Sequence, residues 1–174
     1  PHPPTITPPI RVALIDSSFN PHHPHVGKVE NGIGFCSDPE GKPIRSREAV
    51  DRIGHGTAIA GVIHWHAPTA VVCPIRIFHE TLEAPASRLL AALEWAIDTA
   101  ADAPGAAPAI DVIHLSLGLR AERFKQPLLD ICRRANRKNI LIVAAARATG
   151  EPVYPAVFDT VIGVRDLSES KMDD

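Results

Sequence analysis

The chain has 174 residues, room for one domain with its own core and little for a second. Lys plus Arg number 18 and Asp plus Glu 20, a formal charge of −2, which excludes the basic footprint of a general nucleic-acid binder. Apolar residues at 45% and charged residues at 22% exclude wholesale disorder, and three widely spaced cysteines (Cys36, Cys73, Cys132) argue against a disulfide framework and for a reducing compartment.

The N-terminus, PHPPTITPP, lacks the basic start and apolar run of a secretory signal, so a cytoplasmic chain is expected. Proline clusters set off an arm at 1–10, the domain proper spans 11–166, and 167–174 form a polar tail. The first apolar run, Val12–Ile15, is short, rich in branched residues and closed by Asp16, which predicts a buried strand. From Ile53 to Ile75 there is no Asp, Glu, Lys or Arg, but His55, His64, His66, Pro68 and Pro74 interrupt the stretch. It reads as a helix, a turn and a strand over Ala70–Ile77, not as a membrane span.

Ser87 is placed to cap a helix whose Leu89, Leu90, Leu93, Ile97 and Ala100 share a face, with Glu94, Asp98 and Asp102 elsewhere. Strands follow at Ile110–Leu117, Ile140–Ala146 and Thr160–Val164. Between the first two, a helix over about 122–137 turns Phe124, Leu128, Ile131, Cys132 and Ala135 inward and ends in basic RRANRK. Strand and helix alternate, so the expected fold is α/β, a three-layer, mainly parallel sheet with helices on both faces. In such sheets the chemistry collects at the carboxyl ends of the strands.

Asp16 stands at such an end, where alone it reads as a cap or turn residue. The segment DRIGHGTAIAGV, Asp51 to Val62, changes that reading. His55 lies between Gly54 and Gly56 at the start of an apolar helix, where an imidazole needs partners and the helix end disfavours its charged form. Glycines on both sides allow another backbone to approach closely. Nine histidines raise metal binding as a competitor, with His22, His23 and His25 in one loop and His64 and His66 after the helix. No HExxH or paired-cysteine spacing supports a zinc site, so neither metal nor cofactor is expected. Cys132, on an inward helical stripe, reads as a small hydrophobe rather than a nucleophile.

VALIDSS at 12–18 resembles the aspartate motif of the subtilisin-like serine proteases, and GHGTAIAG at 54–61 resembles their histidine motif. HAPTAVVCPIRIF at 66–78, IDVIHLSLG at 110–118, LIVAAA at 141–146 and YPAVFDTVIGV at 154–164 continue the resemblance in order and spacing. It implies that Asp16 orients the imidazole of His55, and that His55 is general base toward a serine and then general acid toward the leaving amine. It further implies that Ser116, Leu117 and Gly118 pair with an extended substrate backbone, and that Ala144, Ala145 and Ala146 wall the pocket beside the scissile bond. In this family a His-Pro after the aspartate loop is ordinary.

The departures are as informative. None of the eight serines, at 17, 18, 37, 46, 87, 116, 168 and 170, lies in the family's G-T-S-x-A-x-P nucleophile motif. AAARATGEP puts Arg147 on the family's Gly and Ala148 on the Asn that donates to the oxyanion, and the aspartate motif's usual Gly is Ser18. Measured on subtilisin itself, loss of the Asn costs about 10²–10³ in turnover and loss of the serine about 10⁶.

The resemblance therefore implies a subtilisin-like fold incomplete at its C-terminal side and a homologue catalytically incompetent as it stands. It would be a pseudoprotease that binds a peptide or protein, with no nucleic-acid or membrane partner. The alternative is a piece of an active endopeptidase whose serine lies elsewhere. Without the serine helix, apolar surface should be uncovered on the sheet or beside the motif helix Thr57–Ile63. A homodimer contact, a complementing chain or the Pro-rich arm would then cover it.

Overall fold

The structure, a computed structural model, describes residues 8–30, 32–48, 50–98, 109–147 and 150–166. The predicted tail 167–174, most of the arm, Ala100, Asp102 and Ala148 lie outside these residues.

Among the described residues seven strands form one sheet in the order β3-β2-β4-β1-β5-β6-β7. They are β1 (Arg11–Asp16), β2 (Ile33–Ser37), β3 (Pro43–Ser46), β4 (Val71–Arg76), β5 (Val112–Leu115), β6 (Leu141–Ala145) and β7 (Val161–Val164). All pairings are parallel except that of β2 with β3. The five predicted strands are present, the first extended by one residue at each end and the other four trimmed. The β2–β3 hairpin was not foreseen, because IGFCS and PIRS mix glycine, proline and polar residues and show neither alternation nor a branched run. Pro74 sits inside β4, a position central strands usually avoid. It is tolerated where β2 pairs with β4 only from Ile75 onward.

Among the described residues three helices cover the sheet: α1 (His55–His66), α2 (Ala86–Asp98) and α3 (Lys125–Arg137), the last led by a 3-10 turn at Glu122–Phe124. Alternation along the strands separates the two faces. Ala13 and Ile15 of β1, Ile113 and Leu115 of β5, and Ile142 and Ala144 of β6 join one core. Its helical half comes from Leu89, Leu93 and Ile97 of α2 and Leu128, Ile131, Cys132 and Ala135 of α3, as their spacing predicted. Leu14 points the other way and packs with Ala60, Ile59 and Ile63 of α1, together with Phe19 and Val72. Helices therefore lie on both faces, but unevenly.

The motif helix is less buried than its apolar sequence suggested. Only Gly56 and Ala60 of α1 are buried, while Val62 is 59% and Trp65 81% exposed. Beyond α1, on the same face, Leu141, Ile162 and Val164 are also exposed. Among the described residues no helix is long and apolar enough to cross a membrane.

From β1 the chain moves out to β2 and β3 on one side, returns to β4, then crosses to β5, β6 and β7 on the other. The direction of winding thus reverses beside β1, where crevices form at strand ends in such sheets. Asp16 ends β1 at that reversal.

Candidate active site

Asp16 is fully buried, and its carboxylate is saturated with donors. Oδ1 accepts from the Ser17 backbone N–H at 2.7 Å and faces Nδ1 of His55 at 2.8 Å, while Oδ2 accepts from the Ser116 hydroxyl. A carboxylate only accepts, so Nδ1 of His55 carries the proton shared with Asp16, and Nε2 is the ring nitrogen turned away from that bond. The His55 side chain is 37% exposed, so the ring is held on one side and reachable from the other. Three donors on a buried carboxylate also satisfy the rule that a charge removed from water must be hydrogen-bonded.

Two glycines make this approach of α1 to β1 feasible for different reasons. A Cβ on Gly56 would stand 1.9 Å from the Ser18 carbonyl oxygen, so only glycine lets the first turn of α1 lie on the loop after β1. The Gly56 N–H then donates to Ser17 Oγ at 2.9 Å. Gly54 has open space around it but a φ of 87°, in the left-handed region that glycine adopts without a Cβ penalty. Ser18 shares that region at φ 81°, which explains in backbone terms why glycine is usual in the matching motif position.

Asp51 anchors the helix start, a role that sequence reading missed although its motif begins there. Its carboxylate accepts from the N–H groups of Ile53 at 3.0 Å, Gly54 at 2.8 Å and Thr57 at 3.0 Å, and from the Thr57 hydroxyl. Burial of this carboxyl raises its pKa, but the bonds from Thr57, Gly54 and Ile53 outweigh burial and hold it below the ordinary aspartate value. An acidic residue followed by a glycine-bounded helix start was the available signal.

Ser116 was assigned by resemblance to backbone pairing, yet its hydroxyl ties β5 to Asp16. The other candidates divide between two hollows. Ser116, Ala144 and Ala145 line a cavity of about 280 Å³ with His114, Val143 and Val164. Leu117 and Gly118 border a separate cleft of about 340 Å³ that includes Ile77, Phe78, Leu82 and Leu89. A Cβ on Gly118 would fall 2.3 Å from Val153 Cγ1, and Leu119 and Tyr154 exchange two backbone hydrogen bonds of 2.8 Å, so the segment is pinned along that side. Ala146 donates its N–H to the Val164 carbonyl at 2.7 Å rather than lining either hollow. Ala148 lies outside the described residues.

The histidine-rich loop does not converge on the pair. His23 and His25 stack edge to face with ring centres 5.3 Å apart and border a groove of about 390 Å³ with His64 and Trp65 of α1. Among the described residues no group of three or more His, Cys, Asp or Glu side chains is arranged to hold a metal ion. Cys132 is buried within α3, and burial pushes its thiol up to about 12, which leaves it protonated near neutral pH.

Residues 9–172 match the peptidase S8 profile, the subtilase family. The subtilisin-like protease het-Q2 of Podospora anserina is 30% identical over 190 residues, which cover 86% of this chain and 50% of the fungal protein. The human membrane-bound transcription factor site-1 protease is 29% identical, over 89% of this chain and 14% of its own length. A subtilisin of Bacillus sp. strain TA39 is 26% identical, over 94% of this chain and 40% of its own. The chain thus spans half the length, or less, of these curated relatives. A profile match over nearly every residue, on a mostly parallel sheet that brings the aspartate and histidine motifs into contact, places this chain in the subtilase family.

Proposed function

We propose that these residues form the aspartate- and histidine-bearing part of a subtilisin-like serine endopeptidase, a unit that binds an extended peptide or protein and does not cleave it alone. The observation that supports this is the assembled pair, in which His55 Nδ1 is 2.8 Å from a buried, hydrogen-bonded Asp16 and the ring remains accessible. Nε2 is the atom able to take the proton from a serine hydroxyl as its oxygen bonds to the substrate carbonyl carbon. The same proton then passes to the amine as the carbon–nitrogen bond breaks. The buried Asp16 charge stabilises the imidazolium between those steps. Among the described residues the Ser116 hydroxyl donates to Asp16 itself, and Ser17 Oγ accepts the Gly56 N–H. In this reading the serine nucleophile is presented to His55 from outside the described residues.

A second reading, a permanent pseudoprotease, draws support from Ala148, which offers no side-chain donor at the position matching the oxyanion Asn. Both readings carry the cytoplasmic setting that three free cysteines suggest. Labelling with a fluorophosphonate probe tests what they share. The purified 174-residue chain is expected to remain unlabelled while binding extended peptides with saturation. Stoichiometric labelling of any of its serines, lost in His55→Ala, overturns both.

A further inference from the structure

On the α1 face of the sheet, His114 is a polar residue that the Asp16–His55 pair does not use. Register lines up Leu14, His114, Val143 and Ile162 across β1, β5, β6 and β7, so His114 lies at the centre of the sheet on the side of α1. Its ring lines the cavity of about 280 Å³ shared with Ser116, and its Nδ1 is buried without a hydrogen-bond partner among the described residues. A buried polar atom left unpaired costs about 1–3 kcal/mol, so such atoms are few and each calls for an explanation.

Electrostatics and surroundings narrow the explanation. Burial pushes the His114 pKa down; Asp16 opposes that and His55 adds to it, so the ring is neutral at pH 7 and offers one donor and one acceptor. Asp16 on β1 and His55 on α1 are the charged or titratable groups that act on it, while its lining neighbours on β6 and β7 are Val143, Ala144, Ala145 and Val164. Val164, which lines the cavity, is 53% exposed, and on the same face of the sheet Leu141 is 42% and Ile162 49% exposed. A cover for this face must be mainly apolar, with one hydrogen-bonding group over His114. Two residues further on, about 7 Å away and just past the end of β5, Ser116 holds Asp16, so anything seated on His114 also reaches the neighbourhood of His55.

We propose that His114 is a positioning residue, whose neutral imidazole hydrogen-bonds the serine-bearing segment as it closes over β5, β6 and β7 and so sets the serine hydroxyl against His55. The proposal rests on the half-site reading above. It is tested by anisotropy with a labelled synthetic helix built on the family's G-T-S-x-A-x-P motif, added to the 174-residue chain and to His114→Asn and His114→Leu. Asn can place a polar atom near the position of Nδ1, whereas Leu fills the space without one.

Binding is expected to weaken about tenfold or more in His114→Leu and to stay within about threefold in His114→Asn, with the His114 ring signals in ¹⁵N spectra shifting on saturation. Equal binding by His114→Leu, or ring signals that do not move, overturns the role of His114 while leaving the half-site reading intact. No binding by any form overturns both. Should His114→Leu fail to fold by circular dichroism, the ring signals and His114→Asn decide.

Discussion

Gly56 shows how a single side chain decides whether the pair exists. The 1.9 Å gap between a Cβ built there and the Ser18 carbonyl is far inside van der Waals contact, and the obstacle is backbone, which cannot swing aside as a side chain can. Gly56→Ala is expected to lower stability by about 2–4 kcal/mol in urea denaturation, in the range of severe overpacking. It should also break the His55–Asp16 bond, seen as loss of the downfield Nδ1 proton resonance. Retention of both stability and that resonance would show that α1 does not rest on the loop after β1. His55 and Asp16 belong to the same scale: their types were legible from motif context, but their 2.8 Å contact spans 39 positions of sequence.

At the scale of the element, α1 begins where it does because Asp51 gathers three backbone donors and the Thr57 hydroxyl, a task that falls to an N-cap side chain in most helices. Gly54, formally at the cap, has no side chain to supply it. Asp51→Ala should cost about 1–2 kcal/mol at pH 7, comparable with loss of a strong cap. The pH dependence has a definite sign. The folded-state pKa of Asp51 lies below its unfolded value, so its contribution is present above about pH 4 and is lost as pH falls through the lowered folded value. Urea midpoints measured from pH 6 down to pH 2 should accordingly fall less steeply in Asp51→Asn than in the wild type, and parallel curves would refute the assignment.

For the molecule as a whole, the uneven covering of the sheet matters most. α2 and α3 seal one face with a continuous core, whereas on the other α1 covers β1 and β4 and leaves apolar side chains of β6 and β7 open. Apolar surface of this kind is worth about 25 cal/mol for each Å² removed from water, so it favours any cover that fits. The isolated chain should bind a hydrophobic dye and sediment with a concentration-dependent mass. The double substitution Ile162→Lys and Val164→Lys should reduce both. Dye binding unchanged by the two lysines would place the sticky surface elsewhere, the Val62–Trp65 side of α1 being the next candidate.

The amino-acid pattern alone determined the parallel α/β class, five of the seven strands, the buried stripes of α2 and α3, and the places of Asp16 at a strand end and His55 at a helix start, because each is written in local periodicity or in a contiguous motif. It did not disclose the β2–β3 hairpin, whose stability comes from its neighbours rather than its own residues. Nor did it disclose that the Ser116 hydroxyl bonds Asp16, that Asp51 caps the histidine helix, or that His114 lies unpaired in a cavity beside them. These depend on contacts between segments distant in the chain. Only the tertiary structure decides them, since the strand register across β1, β5, β6 and β7 chooses which side chains share a face and which of those remain uncovered.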